Sequence, residues 1–150
     1  MGRALTAVGI ALALLVAGLV LAVQLGRDEQ RLAVDNLLAE DFSRAVATSE
    51  DRGAPVAVSE LAPFAWDRLL LVARDTPAEA VAGRLGREWS PDAGVAGGEL
   101  LILLDRAGAV VRFFDYRGDG RFEGVARPFE ELSRERASFE VRDLVITPKE

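Results

Sequence analysis

The sequence predicts an α+β fold: an N-terminal transmembrane helix, then an amphipathic helix and a small, mostly antiparallel sheet with helices on one face. Three observations favour this class. Residues 4–25 carry no charge, residues 69–73 and 100–104 are short and wholly apolar, and a helix-start pattern lies between these two runs. The predicted parts are an N-terminal membrane anchor over residues 1–27, a juxtamembrane amphipathic helix over 28–50 and a globular α+β domain over 51–150.

The long apolar run predicts an uncleaved membrane anchor. A helix over residues 4–25 would be roughly 33 Å long at about 1.5 Å per residue, enough to cross a hydrocarbon layer of about 30 Å. A secretory signal has an apolar region of only about 7–15 residues and ends in an A-x-A-like site. This run is longer and closes as Leu21-Ala22-Val23-Gln24-Leu25, without that site. Secretion after signal cleavage is the alternative.

Charges beside the run indicate its orientation. The amino terminus and Arg3 precede it, and Arg27 follows it together with Asp28 and Glu29. Lys and Arg orient a membrane segment more strongly than acids do, so the terminal amine decides the balance. We expect a single-pass protein with its N-terminus in the cytoplasm and its C-terminal domain outside. The lipid bilayer is then a partner through residues 4–25.

The next residues predict an amphipathic helix. Val34, Leu38, Phe42 and Ala45 recur at helical spacing. We expect this stripe to pack on the sheet of the domain, and a stalk or a surface that pairs with another helix is the alternative.

Apolar runs and turn residues predict the remaining elements. Thr76, Pro77 and Glu79 form a capping-box pattern, and Gly86 is placed to end the helix that it opens. Gly108 lies in a tight turn between two apolar strands, which predicts a hairpin. The expected order is an edge strand at 56–60, a strand at 66–73, a helix at 77–85, a hairpin of 100–104 with 109–116, a strand at 121–126, a helical turn at 129–136 and a last strand or two over 139–146. Whether 66–73 and 100–104 run parallel stays open.

Composition excludes several kinds of chemistry. The sequence has no His and no Cys, which removes His-based and Cys-based catalysis and ordinary zinc sites. The net charge of −6 argues against a nucleic-acid surface. Residues 115–120 resemble the start of a calcium loop, but Arg117 and Ala126 occupy positions that need oxygen ligands. We therefore expect no cofactor, no metal and no nucleic-acid partner.

Trp66, Asp67 and Trp89 are the candidate residues for binding a ligand or a partner. The two tryptophans flank the predicted strand–helix unit. Large aromatic residues most often anchor a core, and the alternative is an aromatic platform in a cleft beside the loop that carries Trp89.

Acidic residues give two further candidates. Asp67, Asp105 and Asp115 flank strand ends, and two acids facing one pocket would be needed for a hydrolase. A second group alternates with arginines at helical spacing, which is typical of a solvated face, with partner binding as the alternative. Its acids are Glu130, Glu131, Glu135 and Glu140.

Three segments carry a resemblance to known proteins. They read Phe64-Ala65-Trp66-Asp67, Thr76-Pro77-Ala78-Glu79 and Leu85-Gly86-Arg87-Glu88-Trp89. This pattern resembles small uncharacterised bacterial proteins that are membrane-anchored or lipoprotein-like and share a WD…T-P-x-E…LG-x-x-W core. The chain departs from them at Asp75, where they often have Tyr, and it lacks their lipid-bearing Cys. The resemblance implies a bacterial envelope location but no activity. With the anchor over residues 4–25, we expect the bacterial cytoplasmic membrane.

The sequence therefore predicts a non-catalytic, membrane-tethered extracytoplasmic domain that binds another envelope protein. One alternative is a module that binds a small ligand or a glycan in a cleft near Trp66 and Trp89. A carboxylate-based hydrolase is the other alternative.

Overall fold

The computed structural model describes residues 33–89 and 97–149, which form an α+β domain with three helices and two four-stranded sheets. The helices are α1 (Asn36–Arg52), α2 (Val58–Leu61) and α3 (Ala78–Leu85). The strands are β1 (Val56–Ala57), β2 (Arg68–Val72), β3 (Leu100–Leu104), β4 (Val110–Asp115), β5 (Arg121–Phe122), β6 (Phe129–Ser133), β7 (Ser138–Arg142) and β8 (Val145–Pro148).

Some of the predicted segments lie outside these ranges. They are the anchor over 4–25, the first residues of the juxtamembrane helix and residues 90–96 of the loop after Trp89. In the part of the chain that the structure describes, no helix is both long enough and apolar enough to cross a bilayer.

The strands form two sheets where the sequence predicted one. Sheet A has the order β1-β7-β8-β5 and sheet B the order β4-β3-β2-β6. Every pairing is antiparallel except that of β5 with β8. β2 and β3, whose relative direction the sequence left open, are antiparallel neighbours. The strands of sheet A were predicted at 56–60, 121–126 and 139–146, but their pairing into a separate sheet was not, and β1 and β5 have only two residues each.

Sheet B separates two hydrophobic cores. Leu69 and Leu71 of β2 point into the first core, which also contains Phe42 of α1 and residues of sheet A such as Phe139. The alternate residues of β2 point into the second core, with Val81 of α3. Helices therefore cover both faces of sheet B, not one face as predicted. The reason is that β2 and β3 are apolar on both sides, so each face needs a cover.

Helix α1 packs its apolar stripe inside the domain. The ring of Phe42 is fully buried, and its centroid is 5.5 Å from that of Phe114 and 6.1 Å from that of Phe139. The expected packing on the domain's own sheets is confirmed, although residues 33–35 are not helical. The helix begins after Asp35, which caps it because its Oδ1 accepts a hydrogen bond from the N–H of Leu38 at 3.1 Å.

Helix α3 ends at the predicted residue and begins one residue later than predicted, and its predicted capping box is wrong. The Thr76 hydroxyl donates to the Ala73 carbonyl at 2.6 Å, and the N-cap position falls on Pro77, which has no capping side chain. The Thr76 hydroxyl thus makes its hydrogen bond with the preceding loop, and no side chain caps the start of α3. Gly86 ends the helix in the left-handed conformation at φ 65°, as predicted.

Both β-hairpins turn through residues with positive φ. The predicted β3–β4 hairpin is confirmed, with Gly108 at φ 88° in its turn. The β7–β8 hairpin instead turns through Asp143 and Leu144 at φ 50° and 61°, a conformation that usually requires glycine or asparagine. Leu144 is also half exposed, at 49%.

The segment predicted as a helical turn at 129–136 is wrong, because its first five residues are strand β6. Pro128 and the alternating charges resemble a helix start, but Leu132 lies opposite Leu69 of β2 and joins the first core. Pairing with a buried strand outweighs a weak local preference. The predicted strand at 56–60 likewise ends at Ala57, where α2 begins.

Candidate functional site

The two candidate tryptophans lie in different cores. Trp66 is 3% exposed in the first core, where its indole N–H donates to the Ala62 carbonyl at 3.0 Å and the Arg134 guanidinium stacks 4.8 Å above its ring. Trp89 is 6% exposed in the second core, 5.0 Å from the ring of Phe113. Both therefore act as core anchors, and they do not line one open aromatic cleft.

Asp67 is the third candidate, and it lies at the surface beside the β3–β4 turn. Its side chain is 43% exposed and faces Arg106 at 3.7 Å. Its backbone closes sheet B, because its N–H donates to Leu104 and its carbonyl accepts from Arg134. These backbone hydrogen bonds of sheet B account for the position of Asp67.

The acids considered for hydrolysis do not converge. Asp105 follows β3, and its carboxylate accepts from the N–H of Ala109 at 2.8 Å within the hairpin turn. Asp115 lies opposite Leu100, at the far end of the same strand pair, and is fully buried. Its Oδ1 accepts from Arg117 at 3.0 Å, so this acid belongs to an internal ion pair.

The residues resembling a calcium loop hold Tyr116 in place. The tyrosine hydroxyl accepts from the N–H of Gly120 at 3.0 Å. Arg117 engages Asp115 and the Asn36 side chain. Across residues 33–89 and 97–149, no group of three or more acidic residues is placed to hold a metal ion.

Glu99 is a buried acid that the sequence did not single out. It is 5% exposed, and its Oε2 makes no hydrogen bond. Arg74 faces that oxygen at 3.5 Å, and the arginine side chain is half exposed. The pair is an ion pair at the entry to β3.

The outer edge of β6 carries unpaired backbone groups. Pro128 and Arg134 bond to β2 through their carbonyl and N–H, respectively. Backbone groups of alternate residues in an antiparallel strand point to opposite sides, so those of Phe129, Glu131 and Ser133 point away from β2. Among the described residues, only the Ser133 carbonyl of these groups has a backbone partner, the N–H of Arg136. We call this row the open edge of β6.

The other sheet edges are either very short or contacted by another segment of the chain. β1 and β5 have two residues each. The edge of β4 is met by the segment before α1, where the N–H of Asp35 donates to the Phe113 carbonyl at 2.9 Å and Arg112 pairs with the Asp35 carboxylate at 2.8 Å. An open strand edge invites pairing with another strand unless it is short, covered or charged. In the described part of the chain, β6 is an edge strand of five residues whose outer side is not met by the segment before α1 or by another strand.

A groove runs beside the open edge, between β6 and the β7–β8 hairpin. Its volume is about 550 Å³. Its lining includes uncharged residues such as Leu132 and Pro148, together with two acids and two bases. The residues that line this β6 groove are Gly124, Glu130, Leu132, Arg136, Glu140, Thr147, Pro148 and Lys149.

An arginine pair marks the opposite face of the same edge. Glu131 accepts from Arg68 of β2 at 2.7 Å and also from Arg84 of α3. All three side chains are partly exposed, at 35% for Arg68, 44% for Arg84 and 29% for Glu131. We call these residues the Glu131 triad. It joins α3 to the edge of sheet B and has one positive charge more than it has negative.

Sequence reasoning named Glu130 and Glu131 but assigned them to a helix. No local pattern marked an edge strand here, because one face of Phe129–Ser133 carries Phe129, Glu131 and Ser133 and the other carries Glu130 and Leu132, so neither face is uniformly apolar. The structure separates the acids: Glu130 faces the β6 groove and Glu131 faces α3.

Comparison of this chain with protein-family models, with curated proteins and with solved structures gave no match. The geometry of the domain is therefore the basis of the proposal below.

Proposed function

We propose that this protein is a membrane-tethered extracytoplasmic module that binds another protein of the bacterial envelope through the open edge of β6. The observation that carries the proposal is the row of outward N–H and carbonyl groups along Phe129, Glu131 and Ser133, of which only the Ser133 carbonyl has a backbone partner among the described residues. Such a row is satisfied by an added strand, a recurrent way in which domains bind extended protein segments. The β6 groove beside it supplies room for side chains of the added segment.

Residues 4–25 are the proposed anchor, with the N-terminus in the cytoplasm and the domain outside. Their length and lack of charge support this arrangement. The alternative is secretion after cleavage. Protease treatment of intact spheroplasts should remove the C-terminal domain from the outside, and mass spectrometry should recover the N-terminal peptide from the membrane fraction. Recovery of the intact domain in the medium would contradict the anchor.

The arrangement of the described side chains supports a binding role better than a catalytic one. Asp105 and Asp115 are engaged in a turn and in an ion pair, at opposite ends of one strand pair. The buried Trp66 and Trp89 give the ligand-cleft alternative no open aromatic surface. Strand addition at β6 needs none of these residues.

Site-specific photocrosslinking in membranes tests the binding role. A photoreactive residue replaces Ser133 at the exposed end of β6, and a matched control replaces Arg44, which is 69% exposed on α1. We expect adducts from position 133 that map to one continuous segment of one envelope protein, and no such adduct from position 44. Adducts between two copies of this chain, or equal adducts from both positions, would overturn the proposal.

A further inference from the structure

The two faces beside the open edge differ in charge, and the difference bears on which segment can bind. An added strand lays alternate side chains on opposite faces of the sheet. One set faces the β6 groove, where acids and bases balance and the lining includes Leu132 and Pro148. The other set faces the Glu131 triad.

The Glu131 triad favours an acidic side chain over a basic one. Arg68 and Arg84 share a single carboxylate, so two guanidinium groups face one acid. A carboxylate from the partner would balance the cluster, whereas a lysine or arginine would add a third cation beside it. Because the three side chains are partly exposed, solvent screens the effect and it amounts to a several-fold preference.

A second copy of this chain fits the edge poorly. Antiparallel pairing of β6 with itself about Glu131 would bring a second Glu131 triad, with its own two arginines, beside the first and would double the excess of positive charge on that face. A partner segment that brings acids without arginines lowers this excess instead. The occupant is better supplied by a different protein.

We infer that the partner presents an extended segment in which acidic residues, on the side of the Glu131 triad, alternate with uncharged apolar residues, on the side of the β6 groove. This inference rests on the proposed function, since it describes the segment that the open edge receives. It also fixes which backbone groups pair. In an antiparallel added strand, the residue opposite Glu131 shares its face and exchanges backbone hydrogen bonds with it. The N–H groups that point at β6 therefore belong to the acidic residues.

Short synthetic peptides test the inference against the purified full-length chain in mild detergent. In the first peptide valine alternates with glutamate, in the second with lysine and in the third with glutamine. Fluorescence anisotropy gives each Kd. We expect the glutamate peptide to bind several-fold more tightly than the lysine peptide, with the glutamine peptide between them and the difference shrinking at high salt.

Methylated peptides separate strand addition from charge attraction. N-methylation of the glutamate amides should abolish binding, because these N–H groups point at β6. The same modification of the valine amides should leave binding within a few-fold. If both methylated peptides bind like the parent, or if no peptide binds, the open edge is not a docking site and the proposed function loses its basis.

An arginine variant isolates the Glu131 triad. Arg84→Ala leaves the Arg68–Glu131 pair balanced, so we expect the preference for glutamate over lysine to disappear while the glutamine peptide binds as before. Arg44→Ala, which removes an exposed arginine on α1, is the matched control and should keep the preference. An unchanged preference in Arg84→Ala, or equal binding of the glutamate and lysine peptides to the original chain, would overturn the acidic segment and leave strand addition standing.

Discussion

The hydroxyl of Tyr116 accepts a hydrogen bond from the backbone N–H of Gly120 while its ring lies 5.9 Å from that of Phe42, at 87° to it. The loop between β4 and β5 is thus fastened from inside the first core. Burial raises the pKa of Tyr116 above its ordinary value of 10.0, the Gly120 N–H opposes this, and the charges of Asp119 and Glu99 add to it. The folded chain therefore holds the phenolic proton more tightly than the unfolded chain does.

This raised pKa predicts a loss of stability in alkali. Below pH 10 the tyrosine is neutral in both states and its contribution is fully present. As the pH rises past the unfolded value and through the folded one, the unfolded chain releases its proton first, so stability falls. Because the sequence has one tyrosine, tyrosinate absorbance reports this residue alone. We expect its titration to lie above that of the urea-unfolded chain.

Tyr116→Phe is the control for the alkaline loss. It should be less stable at neutral pH, because the Gly120 N–H loses its acceptor at a cost of about 1–3 kcal/mol. Its stability should then depend less on pH above 10 than that of the original chain. Equal alkaline sensitivity of the two proteins would show that another group is responsible.

Gly118 should resist substitution because Tyr116 occupies the space beside it. A Cβ at this position would lie 2.8 Å from Cε2 of the Tyr116 ring and closer still to its hydroxyl. We expect Gly118→Ala to reduce the free energy of unfolding by about 1–3 kcal/mol. Urea denaturation followed by tryptophan fluorescence measures the change.

Gly83 provides the matched alanine control. It lies in α3, and a Cβ there would meet nothing within 4 Å. Gly83→Ala should stabilise the domain by about 0.5–1 kcal/mol, because alanine loses less backbone entropy in a helix. A loss of similar size at both positions would refute the steric explanation.

The β7–β8 turn is strained at Leu144. A non-glycine residue in the left-handed conformation costs roughly 1–2 kcal/mol, and this leucine is also half exposed. We expect Leu144→Gly to raise the free energy of unfolding by about 1 kcal/mol. Leu144→Ala removes most of the exposed side chain but keeps the Cβ that causes the strain, so it should bring little gain. If alanine stabilises as much as glycine, exposure and not backbone conformation is the cause.

Helix α1 should be part of the folded domain and not a separable stalk. Phe42 is fully buried among the rings of the first core, so Phe42→Ala should cost about 3–5 kcal/mol. Leu37 on the same helix is 75% exposed, and Leu37→Ala should change stability by less than about 0.5 kcal/mol. Equal, small effects of the two changes in urea denaturation would favour the stalk.

Local chemistry was enough to predict much of sheet B. The runs at 69–73 and 100–104, which supply most of β2 and all of β3, are apolar throughout. Gly86 ends α3 and Gly108 lies in the β3–β4 turn, each in a backbone conformation that few residues adopt. These signals lie within a few residues of the structure that they specify. The β3–β4 hairpin needs no distant partner to be recognised.

Distant partners decided the remainder. Phe129–Ser133 has local features of a helix start, and it becomes a strand because β2, far away in the sequence, offers it an edge. The candidate site shares this origin: Arg68 and Glu131 are 63 residues apart, and Arg84 and Glu131 are 47 apart. A shared cleft was the alternative interpretation of Trp66 and Trp89, but the two side chains are separated by the sheet that forms between them.

The pairing of β6 with β2 also determines when, during synthesis of the chain, the open edge can form. β2 emerges from the ribosome well before β6, and residues 73–128 must be made before the two strands can meet. Until then neither the row of free backbone groups nor the Glu131 triad exists in its final form. A partner that binds this edge, as we propose, would therefore bind chains synthesised past β6 and not shorter nascent or truncated ones.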